Sequence, residues 1–115
     1  MIERYTRREI KTIWEDQNRY SIWLDIELAA AEAMEKLKII PRGVVKKVKS
    51  KAKINPKRIL QIEEKVKHDI IAFLTSITEQ AGEEAKYLHK GMTSSDVLDT
   101  CFNLQLKQSG KILLK

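Results

Sequence analysis

The chain has 115 residues, of which 43% are apolar and 33% charged, with four glycines and two prolines. This suits one domain that buries roughly two-thirds of its unfolded surface, and it excludes both disorder and a fold of many short strands and turns. One cysteine and two histidines exclude a disulfide framework and leave too few soft ligands for a structural zinc site.

The elements follow in chain order. Thr6 with Glu9 fits a capping box, so a short first helix is predicted after it. Tyr20, Trp23, Leu24, Leu28, Ala31, Met34 and Leu37 recur at three- and four-residue spacing, and Ala29, Ala30, Ala31 and Ala33 add propensity; a helix is predicted over 18–38. Ile39-Ile40-Pro41 reads as a corner, with Pro41 at the first position of the next helix. Asn55-Pro56 repeats the device as cap plus first-turn proline, and Ile59, Leu60, Ile62 and Val66 carry the apolar face that follows. From Asp69, the predicted N-cap, Ile70, Ile71, Phe73, Leu74 and Ile77 restart the pattern, which stops near Gly82, a natural left-handed terminator. Thr93 and Asp96 fit a second capping box, followed by Val97, Leu98, Cys101, Phe102, Leu104 and Leu106 at helical spacing.

The chain then reaches Ile112-Leu113-Leu114-Lys115 with no cap, glycine stop or polar tail, so the apolar residues of that last helix have no evident partner. The expected fold is all-α, with 1–95 a helical domain and 96–115 the start of a long helix. Trp14, Trp23, Met34 and Phe73 are assigned to its core.

The net charge of +6 raises the question of nucleic acid. Lys46, Lys47, Lys49, Lys51, Lys53, Lys57 and Arg58 supply much of it, yet no aromatic residue interleaves them to stack on a base. This reads as a solvated helix face, and a basic nucleic-acid-binding module is kept as the alternative from another functional class. The first eight residues carry charge with no apolar run behind them, and no segment is long enough to span a bilayer. A soluble, cytoplasmic protein without membrane contact is expected.

Both histidines fall in dense polar clusters. His89-Lys-Gly-Met-Thr-Ser-Ser-Asp96 places an imidazole, a glycine and three hydroxyls ahead of a helix. Thr93, Ser94 and Ser95 exceed what one cap requires, and a helix start with its dipole is where a carboxylate or phosphate is held. In Lys67-His68-Asp69, a carboxylate beside an imidazole would orient the ring and favour its charged form, and Lys67 adds a second cation for an anionic guest. An Arg4 guanidinium could grip phosphate and the Tyr5 ring could cover a base. No Gly-rich phosphate loop, Cys-His dyad, metal-binding His-x-x-x-His or nucleophile elbow occurs.

Met1-Ile-Glu-Arg-Tyr, Trp14-Glu-Asp-Gln-Asn-Arg-Tyr, Arg58-Ile-Leu-Gln-Ile-Glu, Lys67-His68-Asp69-Ile-Ile-Ala-Phe and His89-Lys-Gly-Met-Thr-Ser-Ser-Asp96-Val together resemble the N-terminal region of adenylosuccinate lyase. The likeness covers nearly the whole chain. The Thr-Ser-Ser-Asp element recurs across the wider fumarase and aspartase superfamily, so another of its lyases, such as argininosuccinate lyase, is the nearest alternative. The resemblance implies an N-terminal helical domain truncated before a central helical bundle. It implies a homotetramer in which three subunits build each site, and it implies no metal and no organic cofactor. The implied reaction eliminates fumarate from adenylosuccinate, leaving AMP, and from the succinyl-carboxamide ribotide of purine synthesis.

Carried over residue by residue, Arg4 and Tyr5 would hold the nucleotide. Lys67, His68 and Asp69 would line the pocket, His89 would face it near the phosphate, and Thr93 and Ser94 would hold a succinyl carboxylate. The family's general acid lies in a Thr-His-Gly motif and its general base on a Ser-Ser-x-Met-Pro loop. Neither occurs in these 115 residues. The fragment is therefore expected to be inert, with His68 and His89 in supporting roles only.

Overall fold

The computed structural model describes residues 7–114, and among them there is no strand, only six α-helices and one 3-10 segment. The all-α expectation holds. Helix α1 (Arg8–Trp14) starts from Arg7, which makes no side-chain cap; it begins one residue later than the Thr6 box predicts, and Thr6 itself lies outside the described residues. The chain breaks at Glu15, extended at ψ 155, and α2 (Asp16–Lys36) starts at once.

A break of this kind frees carbonyls that must find donors. Ile13 C=O accepts from Asn18 Nδ2 at 2.7 Å and from Gln105 Nε2 of the last helix at 3.0 Å.

Helix α2 is the predicted long helix moved two residues toward the N-terminus. Lys38 takes a left-handed conformation (φ 62) and turns the chain away, so Leu37 is 71% exposed and Ile40 fills the core beyond the helix end. Pro41 does not open the next helix. Gly43, at φ 91, is the N-cap of α3 (Val44–Lys51), and the Glu35 carboxylate of α2 accepts from Val45 N–H at 2.7 Å. A tertiary contact has replaced the local proline device.

Helix α4 (Pro56–Val66) begins as predicted, with the Asn55 side chain accepting from Arg58 N–H and Pro56 in the first turn. Ile59 and Ile62 are buried, but Leu60 and Val66 face outward. Lys67 closes the helix at φ 57, and α5 (Asp69–Ala81) follows. Its cap is His68 rather than Asp69: the Nδ1 atom of His68 accepts from Ile71 N–H at 3.2 Å, while the Asp69 carboxylate takes its neighbour Ile70 N–H at 2.8 Å. Gly82 ends α5 at φ 72 and ψ −142, an extended mirror-image conformation open almost only to glycine. A 3-10 segment (Gly82–Tyr87) leads on toward α6 (Ser94–Leu113).

The core is built around Trp23. Its ring meets Tyr20 edge-on at 5.0 Å and Phe73 of α5 edge-on at 5.5 Å, and Tyr20 and Phe73 stack at 6.3 Å. The Arg19 guanidinium covers the Tyr20 and Trp23 rings at 4.9 and 5.1 Å. Trp23 and Phe73 are fully buried, whereas Trp14 and Met34 are only partly so. Trp14 instead rests edge-on against Phe102 and donates its Nε1–H to Ser109 Oγ at 3.1 Å, tying α1 to α6.

On α6, Val97, Cys101 and Gln105 face inward, while Phe102 (53% exposed), Leu104, Leu106 and Leu113 face out, as does Leu114 just after the helix. Burial pushes the Cys101 thiol up from its ordinary range.

Two outcomes follow from this packing. Phe73→Ala, which opens a hole against Trp23 and Tyr20, lowers stability by about 3–5 kcal/mol in denaturant unfolding. His68→Ala costs about 1 kcal/mol, and His68→Asn, a strong capping residue, restores most of it; equal melting of the Ala and wild-type chains would remove His68 as the cap.

Candidate functional site

The start of α5 and the start of α6 meet. His68 Nε2 lies 3.4 Å from Ser94 Oγ, at the long end of hydrogen-bond range. The cap decides the direction of this bond. Because Nδ1 spends its lone pair on Ile71 N–H, a neutral ring carries its proton on Nε2, and Nε2–H donates to the serine oxygen. Orientation by Asp69, as expected from the sequence, gives way here: Asp69 Oδ1 is 3.7 Å from Nδ1 and is engaged by Ile70 N–H. The ring is set by the helix start on one side and by Ser94 on the other.

Ser94 owes its place to the capping box of α6, in which the Asp96 carboxylate accepts from Thr93 N–H at 2.8 Å. Gly91 precedes it at φ 73, a left-handed turn that admits glycine without strain. Thr93 is exposed and Ser94 half-buried, so one residue closes the helix while its neighbour reaches the imidazole.

Lys67, exposed, lines a shallow depression with Leu60, Glu63 and Glu64. Two of these neighbours are carboxylates, which weakens Lys67 as the second cation for an anion beside His68. Arg4 and Tyr5 lie outside the described residues.

His89 has a partner that the sequence did not suggest. Its Nδ1 sits 2.5 Å from Glu27 Oε1, a short hydrogen bond to a carboxylate on α2. Glu27 is 1% exposed, and its Oε2 has no hydrogen-bond partner among the described residues. His89 itself is left-handed, at φ 65. Glu27 was missed by periodicity, which picked out Trp23, Leu28 and Ala31. The available signal was its register: Glu27 lies four residues after Trp23 and four before Ala31, on the buried face of the stripe.

The basic segment is partly neutralised. Arg58 makes a two-pronged bond to Glu79, at 2.6 and 3.0 Å, which holds the Glu79 carboxyl below its usual range, and Lys47 meets Glu84 at 3.5 Å. Among the described residues no three side chains converge as metal ligands, and no described helix is long and apolar enough to cross a membrane.

No family model matches the chain. Among curated proteins, all 115 residues align with an adenylosuccinate lyase of Synechocystis sp. at 49% identity and with one of Staphylococcus saprophyticus at 46%. The chain spans 27% of the length of each. Among solved structures, a fumarate lyase from Mesorhizobium sp. BNC1 superposes with a TM-score of 0.80 at 26% identity, covering 90% of this chain and 25% of that one. From end to end, then, this sequence is similar to about a quarter of an adenylosuccinate lyase, and its helices take the arrangement found in part of a fumarate lyase.

Proposed function

We propose that the chain is the N-terminal, substrate-holding part of an adenylosuccinate lyase, a soluble cytoplasmic homotetramer. The observation that carries the reading is the meeting of His68 with Ser94 across two helix starts. A donor ring, hydroxyls and helix-start N–H groups gathered at one place suit a carboxylate whose charge grows during reaction.

In the elimination a base removes a proton from the succinyl carbon beta to nitrogen. The electron pair spreads into the adjacent carboxylate, and the C–N bond then breaks as an acid protonates the leaving nitrogen. Fumarate and AMP are released. The same steps free fumarate from the succinyl-carboxamide ribotide.

Thr93 and Ser94 hold the succinyl carboxylate, His68 donates beside them, and Lys67 and Asp69 line the approach. Arg4 and Tyr5 hold the nucleotide, with His89 on its phosphate side. Residues 96–115 begin a long helix leading into a bundle that brings the proton-transfer groups from other segments. The reaction needs no metal or organic cofactor. Nucleic acid is no partner in this reading, since cations of the basic segment already answer to Glu79 and Glu84.

The test is elimination by the whole protein that contains this region. Fumarate and AMP should form from adenylosuccinate, and Ser94→Ala should lower kcat/KM by about 100-fold, the usual loss of one donor to a developing oxyanion. Arg4→Ala should abolish AMP binding; unchanged AMP affinity would favour a lyase with a non-nucleotide substrate, such as argininosuccinate. Absence of elimination by the wild-type protein overturns the reading.

A further inference from the structure

Buried carboxylates are expensive, and the cost is greatest when one oxygen stays without a donor. Glu27 is such a group: its side chain is fully enclosed, Oε1 bonds to His89, and Oε2 has no partner among the described residues. An apolar residue at this place on α2, between Trp23 and Ala31 in the buried face, would serve packing better. His89 is costly too, since a residue with a Cβ strains at φ 65. Two unfavourable features in one contact, next to the turn that delivers Ser94, call for a reason beyond packing.

We propose that Glu27 is the positioning residue of the site. By accepting from Nδ1–H it fixes the His89 ring in one tautomer and one orientation, and it anchors the Leu88–Met92 turn from which α6 starts. Met92 N–H bonds back to His89 C=O at 3.2 Å, so the anchored residue also closes that turn. With Nδ1 held by Glu27, a neutral His89 ring has its lone pair on Nε2, which makes no hydrogen bond within the described residues. His68 is the converse, with Nδ1 accepting from its helix and Nε2–H donating. While both rings are neutral, one histidine therefore offers a donor and the other an acceptor, each set by a different buried or backbone partner.

The tautomer claim stands on geometry alone, whereas the effect on catalysis rests on the lyase reading above. Long-range nitrogen–proton correlation on the uniformly labelled chain at pH 8 reads the first. A proton is expected on Nδ1 of His89 and on Nε2 of His68; His89 with its proton on Nε2 alone overturns the proposal, without any variant having to fold.

Kinetics of the whole lyase read the second. Glu27→Leu is expected to lower kcat/KM about 10–100-fold, as loss of a ligand-orienting partner commonly does. Glu27→Gln, whose amide oxygen can still accept from Nδ1–H, should recover a large part of it at equal melting temperature. If Glu27→Leu folds and keeps wild-type kcat/KM, the positioning role is wrong although the lyase reading stands. If the wild-type protein eliminates nothing, the lyase reading fails and the Nδ1 proton alone decides this one.

Discussion

Ile71 N–H at the start of α5 must find an acceptor, and it finds one in the imidazole of His68. That single bond settles more than a helix end. It takes the Nδ1 lone pair, leaves the proton on Nε2, and so turns the ring into a donor toward Ser94 rather than an acceptor from it. A serine cap at the same position would hold the helix equally well and offer nothing across the gap. The capping geometry and the chemistry of the site are therefore one constraint, imposed where the chain crosses from Lys67 at φ 57 into α5.

Rigidity behind this contact comes from the Trp23 cluster. Tyr20 and Trp23 belong to α2 and Phe73 to α5, and their edge-on packing fixes the angle at which α5 leaves His68. On the other side, Gln105 donating to Ile13 C=O and Trp14 donating to Ser109 lock α6 to the α1–α2 break. The two helix starts meet because each helix is held further along its length, with polar bonds between α6 and the break, and aromatic packing between α5 and α2. The site residues themselves sit between helices, where backbone groups are free to serve a guest.

Most of the helical skeleton was legible in the sequence, since caps and periodicity are local. Asn55-Pro56 opens α4 and the Thr93–Asp96 box opens α6 as read. The misreadings arise where a contact that spacing and propensity do not register outbids the pattern. Pro41 loses its role because Glu35 reaches over to Val45, and Leu37 loses its place in the stripe because Lys38 turns and Ile40 fills the space. Asp69 gives up the cap because an imidazole one residue earlier has better reach. The His68–Ser94 meeting was readable only as two polar clusters that ought to converge, because 26 residues separate them. Glu27 was not read at all, since a pattern that collects apolar residues passes over the carboxylate among them.

An anion at the start of α6 would meet a helix end whose cap is already made. The Asp96 carboxylate accepts Thr93 N–H, which stabilises the helix and sets a negative charge inside its first turn. That charge offsets part of the dipole that would otherwise attract a guest. Free N–H groups at the helix start supply direction but little net field, so attraction must come from neighbours that α6 does not own. The structure supplies one in His68, whose donor nitrogen faces Ser94 from another helix start. In the proposed reading a carboxylate held there would draw on a proton carried by α5, because the helix that positions the hydroxyls is poorly suited to bind an anion by itself.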